Sequence, residues 1–152
     1  MSPAVTGCWL MRCFCWTTRQ PTRSSWIPHC QPRPRLRQAR LAGRVTFLTA
    51  RVEDLDLRSS DIVVSVHACG GLSDVVLDRA ASARARVAVL PCCHDLDVND
   101  DGGLAGWIDR PLAVDVVRAL RLKQQGYRTW TQSISGEITP KNRLLIGEPQ
   151  VL

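Results

Sequence analysis

Residues 61–95 constrain the fold of this chain more than any other stretch. Two apolar, β-branched runs, 62–66 and 87–90, flank a segment at 72–83 whose apolar residues recur at helical spacing. Continuous apolar runs are typical of strands that helices cover on both faces, and a right-handed helical crossover makes such strands parallel. The stretch therefore predicts a βαβ unit and an α/β fold.

Reactive side chains directly follow both predicted strands. The first strand leads into HACGG at 67–71, and the second leads into PCCHD at 91–95. In open parallel sheets, ligands bind beyond the carboxyl ends of the strands, which is where these two loops fall. The sequence therefore predicts that the functional site lies where the two loops meet.

The rest of the chain supplies further elements of the same kind of fold. We expect a strand at 45–49, helices at 72–83 and 112–125, and an antiparallel pair of strands at 127–134 and 142–146. Ser73 and Asp74 are placed to accept hydrogen bonds from the backbone amides that begin the first helix. Four apolar residues recur on one side of the second helix, namely Leu112, Val116, Ala119 and Leu120.

The positive charge of the chain is concentrated in residues 1–44. The formal net charge is +6, and eight of the 20 basic residues lie in this segment with none of the 14 acidic ones, which leaves 12 basic and 14 acidic residues in 45–152. The segment also holds four of the seven cysteines, three of the five tryptophans and five of the nine prolines. We therefore expect an irregular basic segment at 1–44 and an α/β domain at 45–152.

Three interpretations of residues 1–44 compete. Arginines with interleaved tryptophans can hold phosphates and stack on bases, as in a nucleic-acid-binding arm. Richness in arginine without acidic residues also fits a targeting segment. The third interpretation, which we favour, is a disordered or out-of-frame sequence, because lysine and acidic residues are both absent there.

The cysteine content bears on the cellular compartment. The chain has seven cysteines, an odd number, and two of them are adjacent, which favours reduced thiols in the cytoplasm over a secreted disulfide framework. No run of about 18 apolar residues occurs, so the sequence predicts no membrane span and no membrane partner.

Four sequence blocks resemble those of a known family. SVHACGGLSD, AVLPCCHDL, GYRTWTQSI and ITPKNRLLIG together resemble S-adenosylmethionine-dependent methyltransferases with HACG and PCCH motifs, which are related to tRNA-modifying enzymes. The resemblance covers residues 41–147. It implies a Rossmann-like, mostly parallel sheet with strand order 3-2-1-4-5-7-6 and a C-terminal antiparallel hairpin, in which 62–66 is the fourth strand and 87–90 the fifth. The implied cofactor is S-adenosyl-L-methionine.

The resemblance also implies roles for individual residues. His67 and His94 are candidate catalytic bases at the methyl-transfer end of the pocket. The turn after the strand at 45–49 corresponds to the turn that contacts the adenine in related enzymes. The alternative is that it is a solvent-exposed turn without a ligand. The candidate cofactor-binding residues are Val52, Glu53, Asp54 and His67. The candidate substrate-binding residues are Cys69, Cys92, Cys93, Asp95 and Asn142, of which the last has the alternative role of shaping the hairpin turn.

The cysteines and histidines of the two loops also raise the question of a metal site, because thiolates and imidazoles are zinc ligands. Cys92 and Cys93 are adjacent, however, and adjacent side chains rarely converge on one ion. The spacing therefore predicts no metal site. A disulfide between these two neighbours would be strained.

Two determinants of cofactor binding in methyltransferases of this type are missing from the sequence. They are a glycine-rich loop after the first strand and an acidic residue that ends the second. Gly7 is the only glycine before Gly43, and no acidic residue precedes Glu53. We therefore expect the N-terminal strands to be missing or irregular, the strand at 62–66 to form an exposed edge, and the chain to be a truncated or inactive copy.

Two functions are compatible with these patterns. The first is S-adenosylmethionine-dependent methyl transfer to an unidentified acceptor, which is RNA or a small molecule. The second is a non-enzymatic nucleic-acid-binding module that uses the arginine-rich segment at 1–44. The sequence does not determine the oligomeric state.

Overall fold

The computed structural model describes residues 50–66 and 68–150 of the chain. Residues 1–44, the predicted strand at 45–49 and His67 lie outside the described residues, so the interpretations given for them stay predictions. Within the described part, no helix is long and apolar enough to cross a membrane.

Four strands form one sheet. They are β1 (Ile62–Val66), β2 (Arg86–Leu90), β3 (Tyr127–Ser133) and β4 (Arg143–Pro149), and their order across the sheet is β1-β2-β4-β3. β1 and β2 are parallel, as the two apolar runs predicted. β4 lies antiparallel between β2 and β3. This order is the one that the resemblance implies for its fourth, fifth, seventh and sixth strands.

The sheet is not mostly parallel in the part of the chain that the structure describes. One of its three strand pairings is parallel and two are antiparallel, so the predicted C-terminal antiparallel hairpin is confirmed, while a mostly parallel sheet stays a prediction that includes strands outside the described residues. The hairpin is antiparallel because the short connection at 134–142 returns the chain beside β3 and leaves room only for an antiparallel partner. β2 and β3, which α2 connects, run in the same direction, so β4 is antiparallel to β2 as well.

Two α-helices, α1 (Leu72–Ser82) and α2 (Arg110–Gln124), contact each other and the strands of the sheet. α2 begins two residues earlier than predicted, because the Asp109 carboxylate accepts a hydrogen bond from Leu112 N at 3.1 Å and Pro111 occupies the first turn. Short 3-10 turns lie at Val52–Asp54 and Leu104–Gly106. The core between helices and sheet is aliphatic and includes Val63, Val76, Val87, Val89, Leu122 and Leu145.

The other face of β1 is exposed in the described residues. Val63 is 4% exposed, whereas Ile62, Val64 and Val66 are 39%, 45% and 54% exposed. Burial therefore alternates with a period of two, and the expectation that helices cover both faces of this strand is wrong for the described residues. β2 is the one partner of β1 among them, which leaves the edge predicted at 62–66 without a second described neighbour.

Candidate functional site

The two reactive loops meet at the carboxyl edge of β1 and β2, as the sequence predicts. Gly70 N donates a hydrogen bond to Cys93 O at 2.9 Å, which ties one loop to the other. Gly70 has a φ of +58°, in the left-handed region that favours glycine. A Cβ added to Gly70 would lie 3.5 Å from Asp95 Cβ, so the two loops are in close contact.

Three thiols converge at this junction. Cys69 Sγ lies 3.1 Å from Cys92 Sγ, and Cys92 Sγ lies 3.6 Å from Cys93 Sγ. All three sulfur atoms lie within 4.8 Å of one another. Cys92 and Cys93 are adjacent in sequence, yet the backbone of this loop brings both of their sulfur atoms toward the thiol of the other loop.

The hydrogen bond with Cys92, together with burial and the proximity of Cys93, raises the pKa of the Cys69 thiol to about 12. Hydrogen bonding among thiols favours the protonated form, so Cys69 keeps its proton at neutral pH. Cys92 is 7% exposed and Cys93 is exposed. Reagents in solution therefore reach this cluster from the side of Cys93.

The His94 side chain is held by a carboxylate from α2. Its Nε2 lies 2.7 Å from Asp115 Oδ1, and the His94 side chain is 4% exposed. Asp115 also accepts hydrogen bonds from Arg143 Nε at 2.7 Å and from Arg118 Nη1 at 3.4 Å. Because Nε2 of His94 is engaged, Nδ1 is the ring nitrogen that is left for exchange of a proton with another group.

Arg118 is the charged centre of the site. This residue is 2% exposed, and its guanidinium holds Asp74 in a bidentate pair, with Nε donating to Oδ1 at 3.0 Å and Nη2 to Oδ2 at 2.8 Å. Nη2 also donates to Gly70 O at 3.0 Å. A single side chain of α2 therefore fixes the beginning of α1 and the loop that carries Cys69.

Two predicted helix-capping residues have other roles. Ser73 Oγ donates to Ala68 O at 2.7 Å, and the Asp74 carboxylate accepts from Arg118 and from Asn99 Nδ2 at 2.9 Å. Neither side chain caps α1, which begins after Gly71 without a side-chain cap. The prediction was wrong because a buried cation competes for the Asp74 carboxylate more strongly than the free amides of the helix do.

Asn99 connects the same network to the second loop. It is 9% exposed, and its Oδ1 accepts a hydrogen bond from Asp95 N at 2.9 Å. The exposed Asp95 carboxylate accepts from Asp97 N at 3.2 Å, so it closes a local turn. Asp74, Asn99, Asp115 and Arg118 were all missed as site residues. The sequence does not distinguish Arg118 from the exposed Arg121 and Lys123 of the same helix.

The remaining predicted site residues lie elsewhere in the unit. Asn142 Nδ2 donates to Ile134 O at 2.7 Å, which closes the hairpin and agrees with the alternative role given to it. Val52 is buried where the 3-10 turn packs on α1, while Glu53 and Asp54 are exposed. A hydrogen bond from its own backbone amide lowers the pKa of Glu53, so this carboxylate is ionised at neutral pH.

A groove of about 360 Å³ lies between α2 and the β3–β4 hairpin. It is mainly apolar, with Asp115 and Arg143 at its margin, and so it adjoins the group that holds His94. The apolar stripe predicted on α2 lines this groove and consists of Leu112, Val116, Ala119 and Leu120. The side chains of α2 that are buried are Ala113, Val114, Arg118 and Leu122.

Comparison with protein families gives one match. A family model described as a methyltransferase domain matches residues 22–99, a range that includes β1, α1, β2 and both reactive loops. No curated protein and no solved structure matches the chain significantly.

Proposed function

The chain belongs to the methyltransferase domain family, and from this membership we propose that its reactive edge is the acceptor side of an S-adenosyl-L-methionine-dependent methyltransferase. The observation that carries the proposal is the hydrogen bond from Gly70 N to Cys93 O at 2.9 Å. It joins the loops that follow two parallel strands at the edge where such sheets bind their ligands. The strand order β1-β2-β4-β3 supports the same assignment.

A bound S-adenosyl-L-methionine would supply an electrophilic methyl group, with its thioether as the leaving group. The contribution of the protein is mainly to position the acceptor and to receive its proton. Asp115 orients the His94 ring through Nε2, so Nδ1 of His94 is the proton acceptor that we propose. His67 is the second candidate base. Cys69, Cys92, Cys93 and Asp95 are proposed to contact the acceptor.

The fit of the chain to the cofactor is partial. In the described residues it is limited to the turn at Val52–Asp54, whose exposed carboxylates of Glu53 and Asp54 are able to accept a hydrogen bond from an adenine amino group. The sequence before Val45 holds neither a glycine-rich loop nor an acidic residue. We therefore propose that the chain is an inactive copy, in which the acceptor side is kept and cofactor binding is weak or lost.

Calorimetric titration of the purified full chain with S-adenosylhomocysteine, beside a thermal melt, tests this proposal. We expect a cooperative melt and no heat of binding at micromolar concentrations. Binding that is weakened by the double change Glu53→Gln with Asp54→Asn, but not by Glu137→Gln at an exposed site in the hairpin connection, would contradict inactivity and would support cofactor binding at the turn.

The acceptor is proposed to be a small molecule or RNA. The groove volume of about 360 Å³ lies within the roughly 300–1,000 Å³ of small-molecule sites, which favours the first class. The concentration of eight arginines in residues 1–44 favours RNA, or a binding module without methyl transfer. Because the chain is proposed to be inactive, direct binding of labelled total RNA, compared with binding of a small-molecule extract, separates the acceptor classes.

The binding module is tested with a synthetic RNA at rising salt concentration. Its affinity should fall steeply with salt and with the triple change of Arg33, Arg35 and Arg37 to Gln. The matched change is Arg51→Gln together with Arg58→Gln and Arg128→Gln, which removes the same charge from exposed positions. Equal losses in both variants would contradict a dedicated arm.

A further inference from the structure

We propose that Cys69, Cys92 and Cys93 form a three-cysteine site for a thiophilic metal cation, with Zn²⁺ as the ion that fits their geometry and whose binding releases the thiol protons. This site does not rest on the proposed methyl transfer. It rests on the positions of the three sulfur atoms, on the contacts that hold their loops, and on the access of solvent to Cys93.

The distances between the sulfur atoms are close to those of a zinc site. With Zn–S bonds of about 2.3 Å and tetrahedral angles, sulfur ligands lie roughly 3.8 Å apart. The observed separations are 3.1 Å for Cys69 and Cys92 and 3.6 Å for Cys92 and Cys93, and all three atoms lie within 4.8 Å. Shifts of less than about 1 Å, within the reach of side-chain rotation, bring each pair to the distance that the ion requires.

The loops that carry the thiols are held before any ion binds. Gly70 N donates to Cys93 O at 2.9 Å. Gly70 directly follows Cys69, and Cys93 directly follows Cys92, so this bond joins the two thiol-bearing loops next to their sulfur atoms. Arg118 Nη2 donates to Gly70 O at 3.0 Å from the buried side. Because the ligands come from two loops of a folded unit, the site exists only in the folded chain, and an ion bound there stabilises the fold.

The site is open on one side. Cys92 is 7% exposed, Cys69 is half-buried and Cys93 is exposed. Three protein ligands with one open position are typical of zinc sites that bind water or a further ligand, in contrast to the closed four-ligand sites of structural zinc. Thiolates select soft ions, so Mg²⁺ and Ca²⁺, which prefer oxygen ligands, should not bind here.

The test uses the full chain with Cys8, Cys13, Cys15 and Cys30 changed to serine, because these thiols of the N-terminal segment would also bind metal. Titration of the reduced protein with Co²⁺ should produce the sulfur-to-cobalt charge-transfer absorption with one ion per chain, and Zn²⁺ should displace it. On this background, Cys69→Ser and Cys93→Ser should each weaken binding by more than the roughly 10–100-fold that loss of an outer-shell partner costs. The matched change Ser65→Ala, in β1, should leave it unaltered.

A second measurement needs no substitution. Alkylation of Cys93 in the unaltered chain, followed by mass spectrometry, should slow in the presence of Zn²⁺ and should not change with Mg²⁺. The proposal is overturned if the background variant gives no charge-transfer absorption or if both serine variants bind Co²⁺ as tightly as the background does. It is overturned equally if Zn²⁺ leaves the alkylation of Cys93 unprotected.

Discussion

The two ends of the sheet are stabilised in different ways. At the carboxyl edge, where β1 and β2 end, charges are buried: Arg118 holds Asp74, and His94 lies against Asp115. At the amino edge, where β2 begins and β4 ends, a buried neutral hydroxyl and an exposed ion pair take the place of these contacts. Tyr127 donates to backbone carbonyls, and the ion pair of Arg86 with Glu148 is 49% and 45% exposed.

The difference between the two edges shows that accurate positioning of the loops and stability of the fold have different sources. Burial of a charge costs several kcal/mol of desolvation energy, which is offset only when the charge is paired and hydrogen-bonded. The carboxyl edge carries that cost at Arg118 and in return holds two reactive loops in one arrangement. The amino edge has no reactive loop in the part of the chain described, and it is packed with aliphatic and aromatic side chains instead.

The largest effect that we expect comes from Arg118→Met. The change keeps most of the side-chain volume but leaves Asp74 without its bidentate partner in a largely buried place, while Asp115 keeps its bond to Arg143 at 2.7 Å. We expect the free energy of unfolding to fall by about 3–5 kcal/mol, measured by urea denaturation. Arg121→Met is the control, because Arg121 is 47% exposed and lies 3.9 Å from the same Asp74 carboxylate. A difference between the two variants below about 1 kcal/mol would mean that the buried cation beside Asp74 contributes no more than the exposed one.

The next largest effect tests the packing of the amino edge. A Cβ at Gly147 in β4 would lie 2.5 Å from Leu122 Cδ2 and 3.1 Å from Tyr127 Cδ1. We expect Gly147→Ala to lower the free energy of unfolding by about 1–3 kcal/mol, because a close-packed core does not accept the added atom without moving. Gly136→Ala is the control, since nothing lies within 4 Å of a Cβ at that position. Equal stability of both variants would show that this edge is loosely packed.

Tyr127→Phe should have a smaller effect with a distinctive pH dependence. The Tyr127 hydroxyl lies 2.9 Å from Ala85 O and 3.1 Å from Ala80 O, and loss of this neutral hydrogen bond should cost about 0.5–1.5 kcal/mol. Burial raises the pKa of Tyr127, and the nearby Arg84 offsets only part of that shift.

The sign of the pH effect follows from that raised pKa. The stabilisation is complete below the ordinary tyrosine pKa of about 10 and is lost as the pH rises through the higher pKa of the folded state. Because the chain has one tyrosine, tyrosinate absorbance reports this residue alone. If the melting temperatures of the parent chain and of Tyr127→Phe fell in parallel above that pH, Tyr127 would not be the responsible group.

The smallest effect concerns the exposed ion pair of Arg86 and Glu148. The Nε to Oε1 distance is 2.9 Å, but both side chains are close to half exposed. A double-mutant cycle with Arg86→Gln and Glu148→Gln should give a coupling energy below about 1 kcal/mol, and added salt should reduce it. A coupling energy comparable to the loss in Arg118→Met would mean that charges contribute equally at both edges.

The sequence predicted the elements whose determinants are local. β1, α1 and the meeting of the two loops follow from apolar runs and from the rule for parallel strands. The side of α2 that is buried was not predicted, because it centres on Arg118, a residue that hydropathy assigns to the surface. A hydropathy pattern contains no information about the ion-pair partner of Arg118, because Asp74 lies 44 positions earlier in the chain.

The convergence of the thiols was missed for a related reason. Cys92 and Cys93 are neighbours in one loop, whereas the shortest sulfur contact joins Cys92 to Cys69 across the loops. That contact depends on the bond between Gly70 and Cys93, which exists only after β1 and β2 have paired. No pattern within a single loop contains this information.

The position of β4 sets an order of events during synthesis of the chain. β4 follows β3 in sequence, yet it lies between β2 and β3, and Val87 pairs with Gly147, 60 residues later. Strand pairings between residues so far apart in sequence form slowly. Chains grow at roughly 5–20 residues per second, so both reactive loops are synthesised seconds before β4, the strand that completes their sheet. A nascent chain that pauses before residue 143 therefore carries all three thiols but lacks β4, the strand that joins β2 to β3.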